Sequence, residues 1–131
     1  MRLKSVSMKG FKSFPERTRL DFGPGVSVVV GPNGSGKSNV TDAVLWAMGE
    51  QSPLAVRGQS MQDVIFGGGH GVQARSAAEV EIVLDNSDGR RGFRLEASPV
   101  DRARVVIPAH ATATVVFTED VRRTPPAEQQ R

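Results

Sequence analysis

Apolar and polar positions alternate regularly in the first two thirds of the chain and lose that order past about Gly89. Between Arg2 and Met8 the apolar residues Leu3, Val6 and Met8 recur imperfectly, which predicts a strand interrupted by Gly10. Lys12-Ser13-Phe14-Pro15 reads as a turn. Thr18, Leu20 and Phe22 then alternate with Arg17, Arg19 and Asp21, the pattern of a half-buried strand. A turn at Gly23-Pro24-Gly25 leads into Val26 to Val30, broken only by Ser27, which predicts a buried strand. Val40, Ala43, Val44, Ala47 and Met48 follow at helical spacing and define one apolar face, with Gly49 as a C-terminal stop. Trp46 falls off that stripe, either as core or as a partly buried flank.

Beyond the helix, Glu50-Gln51-Ser52-Pro53 reads as a loop, and Val56-Arg57-Gly58 and Met61 to Phe66 as short elements. Gly67-Gly68-Gly69-His70-Gly71 predicts an exposed, flexible connection. Val80, Ile82 and Leu84 alternate with Glu79, Glu81 and Val83, a strand over Ala78 to Asp85 with one apolar face. Past Gly89 come Arg90, Arg91, Arg94, Arg102 and Arg104 among many Ala, Pro and Thr. Val105-Val106-Ile107 and Thr114 to Phe117 are weaker strand candidates there, and the tail from Arg122 to Arg131 is expected to be disordered. No internal repeat or heptad array is visible.

At 131 residues the chain allows one domain with a modest core. The formal charge of +3 is too small to predict nucleic-acid binding by itself. The absence of cysteine excludes disulfides and thiolate metal sites. There is no apolar signal core or membrane-length stretch, so a cytosolic protein is expected.

Gly31-Pro32-Asn33-Gly34-Ser35-Gly36-Lys37-Ser38 fits G-x-x-x-x-G-K-[ST], the triphosphate-binding loop, between a predicted strand and a predicted helix. Such a loop meets phosphate with backbone N–H groups, and glycines permit the turns and the close approach; Gly34 and Gly36 are the candidates. The helix N-terminus adds its positive end. Lys37 is expected on the β- and γ-phosphate oxygens, and Ser38 on Mg²⁺. The bland alternative is a glycine-rich connection, but a Gly-Lys-Ser at a helix start has little purely structural use. The candidate nucleotide-binding residues are thus Pro32, Asn33, Gly34, Ser35, Gly36, Lys37, Ser38 and the trailing Asn39.

Several further stretches carry a family resemblance: Met8-Lys9-Gly10-Phe11-Lys12-Ser13-Phe14, Phe22-Gly23-Pro24-Gly25, Gly49-Glu50-Gln51-Ser52, Arg57-Gly58, Met61-Gln62-Asp63-Val64-Ile65-Phe66, and Ala78 through Asn86. With the loop, they make residues 1–88 resemble the N-terminal head segment of the SMC (structural maintenance of chromosomes) ATPases, particularly the bacterial condensin subunit. The resemblance implies an α/β fold: part of an ABC-type P-loop NTPase head, with an antiparallel β layer beside the phosphate-loop core. It implies ATP and Mg²⁺ as cofactors, and Lys37 and Arg57 as the catalytic cations, Arg57 pointing toward the γ-phosphate region. Lys12 and Ser13 are implied beside the nucleotide, and Asp63 near its adenosine end. Taken alone, Arg57 and Lys12 read as solvated cations rather than ligands, Asp63 as a cap, and Phe11 and Phe14 as core plugs rather than base stackers.

The implied partners are a C-terminal SMC head segment, a second head in a homodimer, kleisin-type subunits and DNA, in a cytoplasmic, nucleoid-associated machine linked by coiled coil. Lys4, Lys9 and Arg19 are candidate DNA-backbone contacts or simply solvated strand faces.

Residues 89–131 do not align with the family pattern. Hydrolysis needs a strand ending Asp-Glu; Ile82-Val83-Leu84-Asp85 is followed by Asn86, and Val115 to Asp120 imitates the motif poorly. The Ser-Gly-Gly signature is also absent. The expectation is a truncated or frame-shifted head segment without turnover of its own. The rivals are a partial head of a RecF- or RecN-like repair ATPase, a small P-loop kinase, and a non-catalytic remnant that competes for the parent head.

Overall fold

The computed structural model describes residues 1–48, 54–58, 61–89, 92–97, 103–107 and 110–120. In chain order these form β1 (Arg2–Lys9), β2 (Thr18–Asp21), α1 (Lys37–Ala47), a 3-10 turn (Met61–Val64), β3 (Ala77–Asn86), β4 (Phe93–Ala97), β5 (Ala103–Ile107) and β6 (Ala111–Asp120). Four strands make an antiparallel sheet in the order β2-β1-β3-β6, and β4 and β5 form a separate hairpin.

Register and alternation together build one apolar face. Val6 pairs with Leu20 on one side and Ile82 on the other, and Met8 with Thr18 and Val80. Along β3, Ala78, Val80, Ile82 and Leu84 are buried while the residues between them are half-buried. The other face is mostly polar, with Val83 and Val116 among its residues. There Ser7 Oγ accepts from Arg17 Nη1 at 3.0 Å, and Arg17 Nη2 reaches Glu79 Oε1 at 2.7 Å. β1 carries a register shift between Leu3 and Ser5, where the Lys4 carbonyl accepts from the Phe22 N–H at 2.8 Å.

Helix α1 lies on the apolar face of the sheet. Its buried residues are Val40, Asp42, Ala43, Trp46 and Ala47. Periodicity put Val44 and Met48 on that face and left Trp46 beside it. In the structure Val44 is only partly buried, Met48 is exposed, and the stripe is rotated toward Trp46. The indole is the largest apolar group on the helix, and its ring centroid lies 5.5 Å from that of fully buried Phe11.

The strand expected over Val26 to Val30 does not form. The segment has no strand assignment, and Val26 and Val30 are 93% and 83% exposed. A fully buried strand needs neighbours for its N–H and C=O groups and cover on both faces, and no described strand flanks it. The two weak strand candidates lie within β5 and β6, and β6 pairs with β3 from Ala77↔Asp120 to Asn86↔Ala111. The glycine run at 67–71 is exposed but closed. Gly69 and Val72 exchange hydrogen bonds at 3.0 and 2.9 Å around His70 and Gly71, whose φ values of 48° and 78° suit a tight hairpin turn. The Gly49 stop, the 50–53 loop and the 122–131 tail lie outside the described residues.

Candidate nucleotide-binding site

The glycine-rich loop ends at the N-cap of α1. Gly36 is that cap, with φ 91°, and Lys37 and Ser38 open the helix. Gly34 also has a left-handed backbone, φ 81°. The two glycines differ in their surroundings. A Cβ on Gly34 would meet nothing, whereas one on Gly36 would lie 2.8 Å from Ser13 Oγ and 3.4 Å from the Phe14 ring. The loop from Gly31 to Ser35 is exposed. Within it the Pro32 carbonyl accepts from the Ser35 N–H at 3.2 Å and from Lys37 Nζ at 3.0 Å, and Lys37 Nζ also reaches the Gly31 carbonyl. Asn33 lies at the exposed tip, and Ser38 is exposed in the first turn of the helix. The donor set suits an anion: a helix N-terminus, left-handed glycines, an ammonium and a hydroxyl.

Two other turns converge on the same helix end. Phe11 and Phe14 exchange backbone hydrogen bonds at 3.1 and 2.8 Å, leaving Lys12 and Ser13 at the tip of a tight turn. The Lys12 N–H donates to the Val64 carbonyl at 2.7 Å, which ties that tip to the 61–66 segment. The second turn runs over 54–57, closed by Arg57 N–H to the Leu54 carbonyl at 3.0 Å and anchored by fully buried Val56.

Side chains then join the three. Asn39 Nδ2 donates to Ser13 Oγ at 2.8 Å, and its Oδ1 accepts from Arg57 Nη2 at 2.8 Å. Asp42 Oδ2 accepts from Lys12 Nζ at 2.9 Å and from Arg57 Nε and Nη2 at 3.0 and 2.7 Å. Lys12 Nζ also reaches the Val56 carbonyl. Lys12, Ser13, Asn39 and Arg57 therefore belong to one network at the start of α1. An open cleft of about 690 Å³ adjoins it, lined by Lys12, Ser13, Asn39, Asp63, Phe66 and Arg75 among others. Asp63 thus shares a cleft with Lys12, Ser13 and Asn39, whereas Arg57 and the loop residues Pro32 to Ser38 do not line it.

Asp42 is the residue that sequence reasoning missed. Its signal was a carboxylate flanked by Val40, Ala43 and Ala47, positions of the apolar stripe. The other acid considered, Asp85, has a local role at the end of β3. The Ser87 side chain, then the Ser87 N–H at 2.9 Å, hold its carboxyl below the usual range; Arg2 and Lys4 add to this against the opposing effect of partial burial. Phe11 and Phe14 are core and core flank, as expected of plugs, and His70 sits exposed at a hairpin tip.

The model of the family described as RecF/RecN/SMC N terminal domain matches residues 2–121. The Chromosome partition protein Smc of Mycolicibacterium paratuberculosis is 50% identical over 107 residues, which is 82% of this chain and 8% of that protein. A structure from work on ATP-driven dimerization and DNA-stimulated activation of SMC ATPases superposes with a TM-score of 0.66 at 28% identity, over 92% of this chain and 70% of that one. The Smc head of Pyrococcus furiosus, solved with an extended coiled coil and bound to the C-terminal domain of ScpA, gives 0.65 at 31% identity, over 90% and 29%. The family description spans RecF, RecN and SMC alike; identity at this level to Smc selects the SMC branch and sets the kinase rival aside. The sheet, loop and helix accordingly have the fold of part of an α/β SMC head. This chain belongs to the RecF/RecN/SMC N-terminal domain family and matches the N-terminal head segment of the Smc chromosome partition proteins.

Proposed function

We propose that this chain is the nucleotide-binding N-terminal segment of an SMC head, with residues 1–88 carrying the site for Mg-ATP. The observation that carries the reading is Gly36: a left-handed N-cap pressed against Ser13, with Lys37 and Ser38 as the first helical residues. Backbone N–H groups of the loop and of the first helical turn would hold phosphate oxygens, and Gly34 and Gly36 give them the necessary close approach. Lys37 supplies a point charge to the β- and γ-phosphates, and Ser38 a hydroxyl to Mg²⁺. Arg57, with its guanidinium half exposed, supplies charge toward the γ-phosphate. Lys12, Ser13 and Asp63 border the cleft where the rest of the nucleotide would lie. When bound, Mg-ATP supplies the phosphoanhydride whose hydrolysis would drive chromosome partition.

Partners follow from the same reading. Val26, Val28 and Val30 are apolar, strongly exposed and outside every sheet, a surface suited to the C-terminal segment of an SMC head. A second head in a homodimer and a kleisin-type subunit are proposed by analogy with the ATP-driven dimerization and the ScpA binding described for the structural neighbours. DNA contact and a cytoplasmic, nucleoid-associated location are part of the proposal. Among the described residues no helix is long and apolar enough to cross a membrane.

The test is Mg-ATP binding by the 131-residue chain, alone and mixed with a C-terminal SMC head segment. Binding that strengthens in the mixture and is lost with Lys37→Ala supports the reading. The acidic motif and the Ser-Gly-Gly signature being absent from the sequence, the isolated chain should show no turnover. ATPase activity of the chain alone, abolished by Lys37→Ala, would overturn that part.

A further inference from the structure

Asp42 is a carboxylate on a buried helix face, its side chain only 6% exposed. A single oxygen, Oδ2, collects three charge-assisted bonds from two cations that reach it from separate turns. A structural ion pair needs one partner. Two cations on one carboxylate leave an excess of one positive charge. Among the described residues, Lys12 and Arg57 are also two of the four non-glycine residues with a left-handed backbone, φ 46° and 58°. Side-chain-bearing residues adopt that conformation at a cost, and such strain gathers where geometry serves a ligand. Arg57 is gripped along its Nε–Nη2 edge, and none of the three bonds that hold it uses Nη1.

We propose that Asp42 is a positioning residue: it clamps Arg57 and Lys12 together beside the first turns of α1, holds the guanidinium by one edge, and so sets the preference of the site for a triphosphate over a diphosphate. The last clause rests on the nucleotide reading above; the clamp itself does not. Asp42 touches no phosphate in this scheme. It acts through Arg57, whose side chain is half exposed, and through Asn39, which shares Nη2 with it. Losing the carboxylate would raise the local positive charge and attract any anion. The discriminating quantity is therefore the ratio of ATP to ADP affinity, not either affinity alone.

The experiment uses the full chain with Asp42→Asn, Asp42→Glu, Arg57→Ala and the double variant Asp42→Asn/Arg57→Ala. Mg-ATP and Mg-ADP affinities are measured by titration, and the Arg57 Nε–H signal is followed by ¹⁵N NMR. Asp42→Asn and Arg57→Ala are each expected to lower the ATP-to-ADP ratio about tenfold, the size of one charged hydrogen bond. The double variant should fall no further, and Asp42→Glu should recover part of the loss. In the wild type the Arg57 Nε–H should be a slowly exchanging signal that Asp42→Asn abolishes. An unchanged ratio in Asp42→Asn, or additive losses in the double variant, would overturn the proposal. A fast-exchanging Arg57 signal in the wild type would overturn the clamp. Should Asp42→Asn fail to fold, judged by Trp46 fluorescence, the Asp42→Glu ratio and the wild-type signal still decide. No Mg-ATP binding by the wild type would sink the nucleotide reading and the triphosphate preference with it, and the Arg57 signal alone would then settle the clamp.

Discussion

Gly34 and Gly36 offer a controlled pair of perturbations. Both have left-handed backbones, φ 81° and 91°, so an added methyl group costs either of them about 1–2 kcal/mol in backbone strain. Beyond that they differ. The Cβ of Gly34→Ala enters open space, but that of Gly36→Ala would sit 2.8 Å from Ser13 Oγ. The Ser13 hydroxyl must then rotate away, which breaks its bond from Asn39 Nδ2, worth about 0.5–1.5 kcal/mol. The Phe14 ring at 3.4 Å adds little. Gly36→Ala should therefore cost about 1.5–3.5 kcal/mol and Gly34→Ala about 1–2 kcal/mol. Urea unfolding followed by the fluorescence of Trp46, the sole tryptophan and 2% exposed, gives both values. Repeating Gly36→Ala in a Ser13→Ala background removes the opposing oxygen. Its cost should drop to that of Gly34→Ala. If Gly34→Ala proves as costly as Gly36→Ala, or if Ser13→Ala leaves the difference intact, close approach is not what requires glycine at the helix N-cap.

Other consequences are smaller in scope. Phe11→Ala removes a fully buried ring packed against Trp46 and should cost about 3–5 kcal/mol in the same urea assay. Val26→Thr and Val30→Thr, at positions 93% and 83% exposed, should change the stability of this chain by no more than about 0.5 kcal/mol; a loss near that of a core valine would mean that the segment is buried after all. Asp85 is held ionised by Ser87 and Arg2, so its folded pKa lies below the reference of 3.8. Its stabilisation is present above that value and fades as pH falls through the folded pKa. Asp85→Asn should therefore destabilise near neutrality and match the wild type in strong acid; a stability gap constant down to the lowest pH would remove the carboxylate from the account.

The elements visible in the sequence were those whose reasons are local. Val80, Ile82 and Leu84 alternate because one sheet face is buried, and Gly34 and Gly36 of the loop have left-handed backbone angles that side-chain-bearing residues adopt only at a cost. Val26 to Val30 misled because apolar content does not supply a hydrogen-bonding neighbour. β6 was faint because its Ala and Thr positions carry little apolar contrast, although its whole length pairs with β3. Asp42 was invisible as a site residue for a different reason. Its partners come from Lys12, thirty positions earlier, and Arg57, fifteen later, and each is held by a turn with its own backbone requirement. A buried carboxylate is costly to desolvate, and opposite charges with good geometry offset that cost. Once the helix is docked on the sheet, Asp42 is held where both turns can reach it. The polar network is thus a product of packing, which brings both cations to one carboxylate at the start of the helix.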